Sequence, residues 1–244
     1  MVQGGVVRGQ TLPGAQAMLD DQPVRVSPDG RFVFGFGRDQ ATRARLVVLL
    51  PDGRRIEQDL SVERRRYVVQ RINGLASEMV SPDEAAMGRI RREADQVSEA
   101  RRHDLPEPWF DEEFLWPTRG PITGVYGSQR ILNGEPRQPH FGVDVAAPAG
   151  TPVFAPAAGT VTLAEPDLYF TGGTIILDHG HGLSSVFQHL NSLGVKVGDR
   201  VARGDPLGAV GATGRVTGAH LHWGMNWFTV RVDPQLVVGP MPAD

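Results

Sequence analysis

Two short stretches of the chain carry the residues best suited to bind a metal ion. His140 and Asp144 lie four residues apart in the first stretch, and His220 and His222 form an H-x-H pair in the second. Imidazole nitrogens and carboxylate oxygens are common ligands of zinc, and the chain has no cysteine that could supply a thiolate. Three protein ligands that leave one position open to water are typical of a catalytic zinc site, whereas structural sites are closed by four. These residues therefore predict a catalytic zinc centre.

The residues around both pairs favour β-strands, and strand geometry limits how the side chains can meet. In a straight strand His140 and Asp144 would share a face but lie ~13 Å apart, which is slightly too far for both to bind one ion at ~2 Å. We therefore expect the chain to bend at Gly142. His220 and His222 would share a face ~6.6 Å apart. One of them can bind the ion while the other stands beside it, over a metal-bound water whose pKa the ion lowers towards ~7.

These motifs resemble those of the M23 (lysostaphin/LytM-type) zinc metallopeptidases, which cut peptide bonds in peptidoglycan. His140 and Asp144 match the family's H-x-x-x-D motif, and His220 with His222 matches its H-x-H motif. His189, which is followed by leucine and preceded by an aromatic residue, matches the histidine found between them. The resemblance covers about residues 114–234, and further matching pieces occur in the family's order at 127–130, 150–153, 159–161, 178–180 and 211–214.

The resemblance implies a role for each of these residues. It implies that His140, Asp144 and His222 are the zinc ligands, and that His189 and His220 flank the metal-bound water and stabilise the tetrahedral intermediate. The family commonly has tyrosine two residues before the middle histidine, where this chain has Phe187. If the tyrosine hydroxyl contributes to binding, its loss is expected to alter specificity at most.

Other polar residues leave two interpretations open. Arg130 and Asn133 lie in a loop just before His140, where they could bind substrate carbonyls or a carboxylate, or could only hold the loop. His179 and His181 form a second H-x-H pair, and spacing alone does not rank the two pairs. Because glycines surround them, we expect a turn there and no role in the site.

The fold is predicted to be mainly β, with a small N-terminal β-sandwich-like domain joined by one helix to an antiparallel catalytic sheet. Residues 1–76 form the accessory domain, 77–104 the helical linker and 105–244 the peptidase domain, whose groove is open to an extended peptide. Turns at 27–30 and 51–53 predict hairpins. The expected strands are 24–26, 32–36, 46–50, 56–60 and 67–72, followed in the peptidase domain by 151–154, 159–163, 174–177, 183–187, 207–210 and 220–227.

One helix is expected over residues 81–100. Ser81 would cap it, Pro82 would occupy its first position, and Glu84 would complete a capping box. One apolar face is predicted from a repeat at three and four residues, formed by Met87, Ile90, Ala94 and Val97.

The bulk properties restrict partners and compartment. A net charge of -3 and the lack of any long apolar run argue against nucleic-acid binding and against a membrane span. The first five residues show no signal peptide. A hydrolase of peptidoglycan peptides must act outside the inner membrane, and residues 3–5, 9–14 and 37–39 resemble the accessory region of exported Gram-negative relatives. We therefore expect a periplasmic or otherwise exported protein whose leader was removed.

Two other function classes stay open beside the zinc endopeptidase. One is a catalytically silent regulator of the same fold that binds cell wall or activates an amidase. The other is a zinc-bearing binding module whose site is closed by a fourth protein ligand. The presence of all five key histidine and aspartate residues argues against the silent regulator.

Overall fold

The computed structural model describes residues 1–74 and 83–242. Antiparallel strands dominate these residues, so that the mainly β fold expected from the sequence is confirmed. The strands of the first half are β1 (Val6–Gln10), β2 (Gln16–Leu19), β3 (Gln22–Val24), β4 (Arg31–Gly35), β5 (Arg43–Leu49), β6 (Arg55–Ser61), β7 (Val69–Ile72), β8 (Ile122–Gly124) and β9 (Gln129–Leu132). Those of the second half are β10 (Glu135–Pro136), β11 (Val143–Ala146), β12 (Pro152–Phe154), β13 (Gly159–Leu168), β14 (Gly172–Asp178), β15 (Leu183–Leu193), β16 (Arg200–Val201), β17 (Pro206–Val210), β18 (His220–Trp227) and β19 (Val230–Val232).

The main sheet has ten strands and contains all six strands predicted for the peptidase domain. Its order is β16-β13-β14-β15-β18-β11-β8, with β12, β17 and β19 paired at its margins. Along β18 the side chains of Leu221, Trp223 and Met225 point into the largest apolar core, where each is fully buried. Because side chains alternate along a strand, the other residues of β18 face the opposite side of the sheet. His220 and His222 belong to that opposite face.

Helix α1 (Glu84–Ala100) packs on the same face as the two histidines. Val97 and Ala100 contact a small apolar cluster that includes Ile176 and Val186 of the sheet. The helix begins at Glu84 with Asp83 as its N-cap, which accepts a hydrogen bond from the backbone of Ala86. The predicted boundary was therefore wrong by about three residues, and the predicted cap Ser81 with Pro82 lies outside the described residues. A 3-10 turn (Trp109–Asp111) and helix α2 (Gln235–Val238) complete the described helices.

No helix in the described part of the chain is long and apolar enough to span a membrane.

The N-terminal strands form a two-stranded sheet (β1-β4) and a four-stranded sheet (β3-β2-β5-β6) that share one apolar core. The hairpin predicted at 51–53 is confirmed, since β5 and β6 pair from Leu49 opposite Arg55. The turn at 27–30 was predicted to join two paired strands, 24–26 and 32–36. This prediction was wrong, because only an isolated bridge joins Val26 to Phe32. Strand β4 pairs with β1 instead, where Gly9 lies opposite Phe32 and leaves room for its ring.

Strand β7 leaves the N-terminal half and joins the catalytic half. It was predicted as the last strand of the sandwich, but it pairs in parallel with β9, with Gln70 opposite Arg130. The two halves also share cores: Val33 belongs to the core of the main sheet, and Trp227 belongs to that of the N-terminal sheets. The division of the chain at residues 76 and 104 stays a prediction.

Candidate metal centre

Two neighbouring strands bring the candidate ligands together. In the antiparallel pair β11-β18, Asp144 lies directly opposite His222. His140 precedes β11, and its backbone is fixed by two hydrogen bonds, one to the Ser128 carbonyl at 2.8 Å and one from the Gly127 amide at 2.7 Å. Local strand pairing therefore places two of the three side chains, and a loop anchored to its neighbour places the third.

The chain bends at Gly142, just before β11 begins. A Cβ atom at this position would lie 2.6 Å from the His222 ring and 2.6 Å from the Trp223 carbonyl oxygen. Only glycine fits so close an approach without displacing the ring. The bend takes His140 off the line of the strand, which removes the separation that a straight strand would impose.

Three ligand atoms converge at the centre of the site. His140 Nε2 and His222 Nδ1 each lie within 2.9 Å of Asp144 Oδ1, and the two nitrogens are 2.9 Å apart. Ligands of a tetrahedral zinc ion at ~2.0–2.1 Å would lie about 3.3 Å from one another. The three atoms therefore need to open by only about 0.5 Å to hold such an ion.

The protons on these side chains also fit a cation. His140 Nδ1 lies 3.2 Å from the Val125 carbonyl and donates to it, so that His140 Nε2 carries a lone pair. That lone pair faces the Asp144 carboxylate and the His222 nitrogen, which are both electron-rich. Because a single proton cannot satisfy three acceptors at once, a divalent cation is the partner that this buried set lacks. His, His and Asp are ligands that zinc accepts.

The second oxygen of Asp144 is held by Arg130. The Arg130 guanidinium donates to Asp144 Oδ2 at 3.0 Å, which leaves Oδ1 as the oxygen directed at the two histidines. Burial raises the pKa of Asp144, but the close contacts of its carboxylate with His140 and His222 outweigh burial and hold the pKa well below its usual range. Burial lowers the pKa of His222 to about 4, so that its imidazole is neutral at pH 7 and able to bind a metal.

The remaining two histidines of the predicted set flank the centre. His220 Nε2 lies 3.8 Å from Asp144 Oδ1, while its Nδ1 donates to the Gly218 carbonyl at 2.9 Å. His189 Nδ1 donates to the Thr213 carbonyl at 2.9 Å, and the rings of His189 and His220 are 4.9 Å apart. Both residues therefore keep Nε2 free of a proton on the side of the metal centre.

His189 reaches the site only because its backbone is unusual. In a regular strand it would share a face with Phe187, which is fully buried in the core on the opposite side of the sheet. At His189 the backbone φ is +66°, and the strand pairing shifts next to it. A non-glycine residue in this region stores strain, and here the distortion turns the imidazole to the side of His220.

The other sequence-based candidates lie in different places. Asn133 forms the exposed turn of the β9-β10 hairpin with a φ of +48°, and its contact with substrate stays a prediction. Arg130 contacts Asp144 of the protein itself. Phe187 has its ring in the core, so a hydroxyl on that ring would not face the metal centre. His179 and His181 lie outside the cluster.

Sequence reasoning missed part of the wall beside the metal centre. A cavity of about 160 Å³ next to His189 and His220 is lined by Arg215 and Thr217, and by Gln70 and Ile72 of β7. No local pattern could have placed β7 there, because its pairing with β9 joins residues sixty positions apart. Arg215 and Thr217 precede the H-x-H pair in a Gly-rich segment, which is the only sequence signal they carry.

Comparisons with known proteins show which family this chain resembles. A model of Peptidase family M23 matches residues 138–234. This range contains all five candidate site residues. A crystal structure of a protein assigned to peptidase M23, from Pseudomonas aeruginosa, is 33% identical in sequence and superimposes with a TM-score of 0.76. The alignment covers 98% of this chain and 95% of the chain in that crystal structure.

Two curated relatives match the catalytic half. Cell division protein DipM of Caulobacter vibrioides is 35% identical over 132 residues, which is 52% of this chain and 21% of DipM. Peptidoglycan DD-endopeptidase ShyA of Vibrio cholerae is 41% identical over 85 residues, which is 35% of this chain and 20% of ShyA. The chain thus spans about a fifth of the length of these relatives.

Proposed function

The chain belongs to the M23 peptidase family, and we propose that it is a zinc-dependent endopeptidase that hydrolyses peptide bonds in peptidoglycan. The observation that carries this proposal is the convergence of His140, Asp144 and His222 within 2.9 Å, with two more histidines beside them. Among the described residues this is also the one cluster with metal-ligand geometry.

Each residue of the cluster has a proposed role. His140, Asp144 and His222 would hold the ion, and the donor set of two imidazoles and one carboxylate favours zinc in a site without thiolates. When bound there, zinc supplies Lewis-acid chemistry, polarising a carbonyl and lowering the pKa of water. Arg130 orients the carboxylate of Asp144, which is the kind of outer contact that fixes metal ligands.

His189 and His220 would transfer the proton that moves from water to the leaving amine during hydrolysis. Burial lowers the pKa of His189 to about 3, so that its imidazole stays neutral in the absence of substrate. The Nε2 atom of either histidine can take the proton that the attacking water loses and return it to the leaving amine. Each is held in that tautomer by a backbone carbonyl that accepts from Nδ1.

The substrate class follows from relatives and from the shape of the site. ShyA is named as a peptidoglycan DD-endopeptidase, and the site of this chain borders a cavity of about 160 Å³, lined by His189 and His220, into which a peptide could reach. A cell-wall substrate requires a protein exported beyond the inner membrane, and we extend the proposal to that compartment. The silent regulator is disfavoured, since all five residues that the reaction needs are in place.

Mass spectrometry of muropeptides tests the proposal. Purified protein loaded with zinc should release new peptide products from intact sacculi, and a chelator should stop the release. The His220→Ala variant, which retains the three proposed ligands, serves as the matched control and should leave sacculi intact. If the wild-type protein binds zinc but releases no product at any pH, the endopeptidase assignment is wrong and the regulator becomes the better hypothesis.

A further inference from the structure

A second cavity lies between helix α1 and the sheet face that carries His222. It has a volume of about 450 Å³, and His222 and Gln188 line its end nearest the metal ligands. Helix α1 forms its roof through Ile90 and Val97, and the sheet forms its floor. A cavity of this size and apolar character is typical of a site for an organic ligand.

Two arginines line this cavity, whose surface is mostly apolar. Arg101 ends helix α1, and Arg231 comes from β19. Arg231 donates to the side chain of Asn226 at 2.7 Å but has no carboxylate partner among the described residues. Arg101 Nε is inaccessible to solvent and has no hydrogen-bond partner in the described parts of the chain. Two cationic side chains are therefore brought together without an anion to neutralise them.

Among the described residues that line the cavity, Glu93 is the only acidic one, and it is already engaged elsewhere. Glu93 accepts hydrogen bonds from the Arg89 side chain and, at 2.7 Å, from the Tyr169 backbone amide. These contacts fasten helix α1 to the β13-β14 hairpin and leave no carboxylate for Arg101. Burial, and then the nearby charge of Arg231, lower the pKa of Arg101 to about 9, which agrees with a guanidinium short of a counter-charge.

We infer that Arg101 and Arg231 bind a free carboxylate of the substrate peptide in this cavity. The inference rests on the proposed function for the identity of the ligand as a peptide. Guanidinium groups bind carboxylates through two parallel hydrogen bonds, and the apolar walls suit the aliphatic part of the same residue. Since His222 lines the cavity, the bound carboxylate would lie to one side of the scissile bond. The two arginines would thereby favour substrates that carry a carboxylate at that position.

The test measures binding in chelator-treated protein, so that neither a metal ion nor turnover contributes. N-acetyl-trialanine is compared with its C-terminal amide, and N-acetyl-alanyl-glutamyl-alanine amide is compared with its glutaminyl analogue. These pairs separate a terminal carboxylate from a side-chain carboxylate. We expect one acid to bind at least about tenfold more tightly than its amide, because a charge-assisted bond is lost in the amide.

Variants assign this preference to the cavity. Arg101→Gln should abolish the preference, whereas Arg102→Gln, at the next residue but exposed and paired with Glu99, should retain it. Thermal unfolding is the second readout, since a purely structural arginine would lower the melting temperature when replaced. Arg101→Gln should leave it equal or higher, because an unpaired buried charge is removed. Equal binding of acid and amide, an unchanged preference in Arg101→Gln, or tighter binding of inorganic phosphate would each overturn the inference.

Digestion of sacculi separates this inference from the proposed function. If sacculi are not cleaved but the acid preference depends on Arg101, the carboxylate site stands and the endopeptidase proposal fails. If sacculi are cleaved as fast by Arg101→Gln as by Arg102→Gln, and free and amidated peptides are cleaved equally, the endopeptidase stands and the carboxylate site fails.

Discussion

The chain contains two H-x-H pairs that are identical in spacing and opposite in environment. His220 and His222 lie on β18, and their free nitrogens face the Asp144 carboxylate. His179 and His181 lie in a tight turn after β14, and both are buried. The two pairs differ in the groups that lie within hydrogen-bond distance of their ring nitrogens.

Backbone and hydroxyl groups satisfy both ring nitrogens of His179 and one of the two ring nitrogens of His181. His179 contacts the Ala158 carbonyl at 2.8 Å and the Ser185 hydroxyl at 2.9 Å. His181 lies 3.2 Å from the carbonyls of Arg25, just after β3, and of Pro106, so it lies between two segments that are distant in sequence. In the β18 pair, lone pairs converge on a carboxylate. A histidine is available to a metal when a nitrogen lacks such a neutral partner, and spacing does not reveal this.

The largest predicted effect is loss of the metal in the His222→Ala variant. Zinc sites contribute about 10–16 kcal/mol of binding free energy, so that removal of one of three protein ligands should weaken binding by about 4 kcal/mol, or roughly a thousandfold. Zinc content after dialysis, measured by atomic emission, should fall to background together with activity.

The control for this loss is the corresponding position of the other pair. His181→Ala should keep the zinc content of the wild-type protein. If His220→Ala abolished zinc binding while His222→Ala preserved it, the roles within the β18 pair would be reversed.

The next effect separates the two members of the β18 pair. His220→Ala should bind zinc normally but lower kcat by about 10²–10⁴, the range that a positioned acid–base group contributes. The Nε2 atom of His220 lies 3.8 Å from Asp144 Oδ1, farther than either ligand nitrogen. Steady-state hydrolysis of a muropeptide measures the loss, and an unchanged kcat would remove His220 from the reaction.

A smaller effect, on stability instead of activity, is expected at the turn pair. His179→Ala removes two buried hydrogen bonds and the edge contact of the ring with Phe114. It also leaves the Ser185 hydroxyl without its partner. The free energy of unfolding should fall by about 2–4 kcal/mol, as measured by urea denaturation, while zinc content per folded chain stays constant.

The sequence could indicate the two candidate ligand motifs because the residues of each motif lie close together in the chain. The alternation of β18 depends on neighbouring residues, and the glycine between His140 and Asp144 indicates the bend. The strands of the main sheet were found for a similar reason, since their apolar runs are bounded by turn residues.

Features that depend on distant contacts could not be found in this way. The parallel pairing of β7 with β9, the contact of Arg130 with Asp144 and the inverted backbone of His189 each require a neighbour that the local sequence does not specify. The expected hairpin at 27–30 failed because β1 offered β4 a longer partner, with a glycine opposite the Phe32 ring. Arg101 directly follows the predicted helix, and only the docking of that helix brings its side chain into a cavity.

The smallest effect concerns Asp178, next to the turn pair. Its Oδ1 accepts from the Gly180 amide at 2.7 Å, but its Oδ2 is buried without a partner in the described structure. Burial raises the pKa of Asp178 to about 7, whereas an unfolded aspartate ionises near ~4. Between these values the folded state binds more protons, so this residue makes stability fall as pH rises from about 4 to about 7.

Replacement of this carboxyl should flatten that dependence. Asp178→Asn keeps the acceptor for Gly180 and cannot ionise, so the difference in unfolding free energy between pH 5 and pH 8 should shrink by about 1–2 kcal/mol. Three full pKa units would give about 4 kcal/mol, and water that reaches the ionised carboxylate reduces this. Asp95→Asn, an exposed change on helix α1, should leave the profile unaltered. If the unfolding free energy of Asp178→Asn depends on pH as steeply as that of the wild-type protein, another group causes the dependence and Asp178 does not titrate in this range.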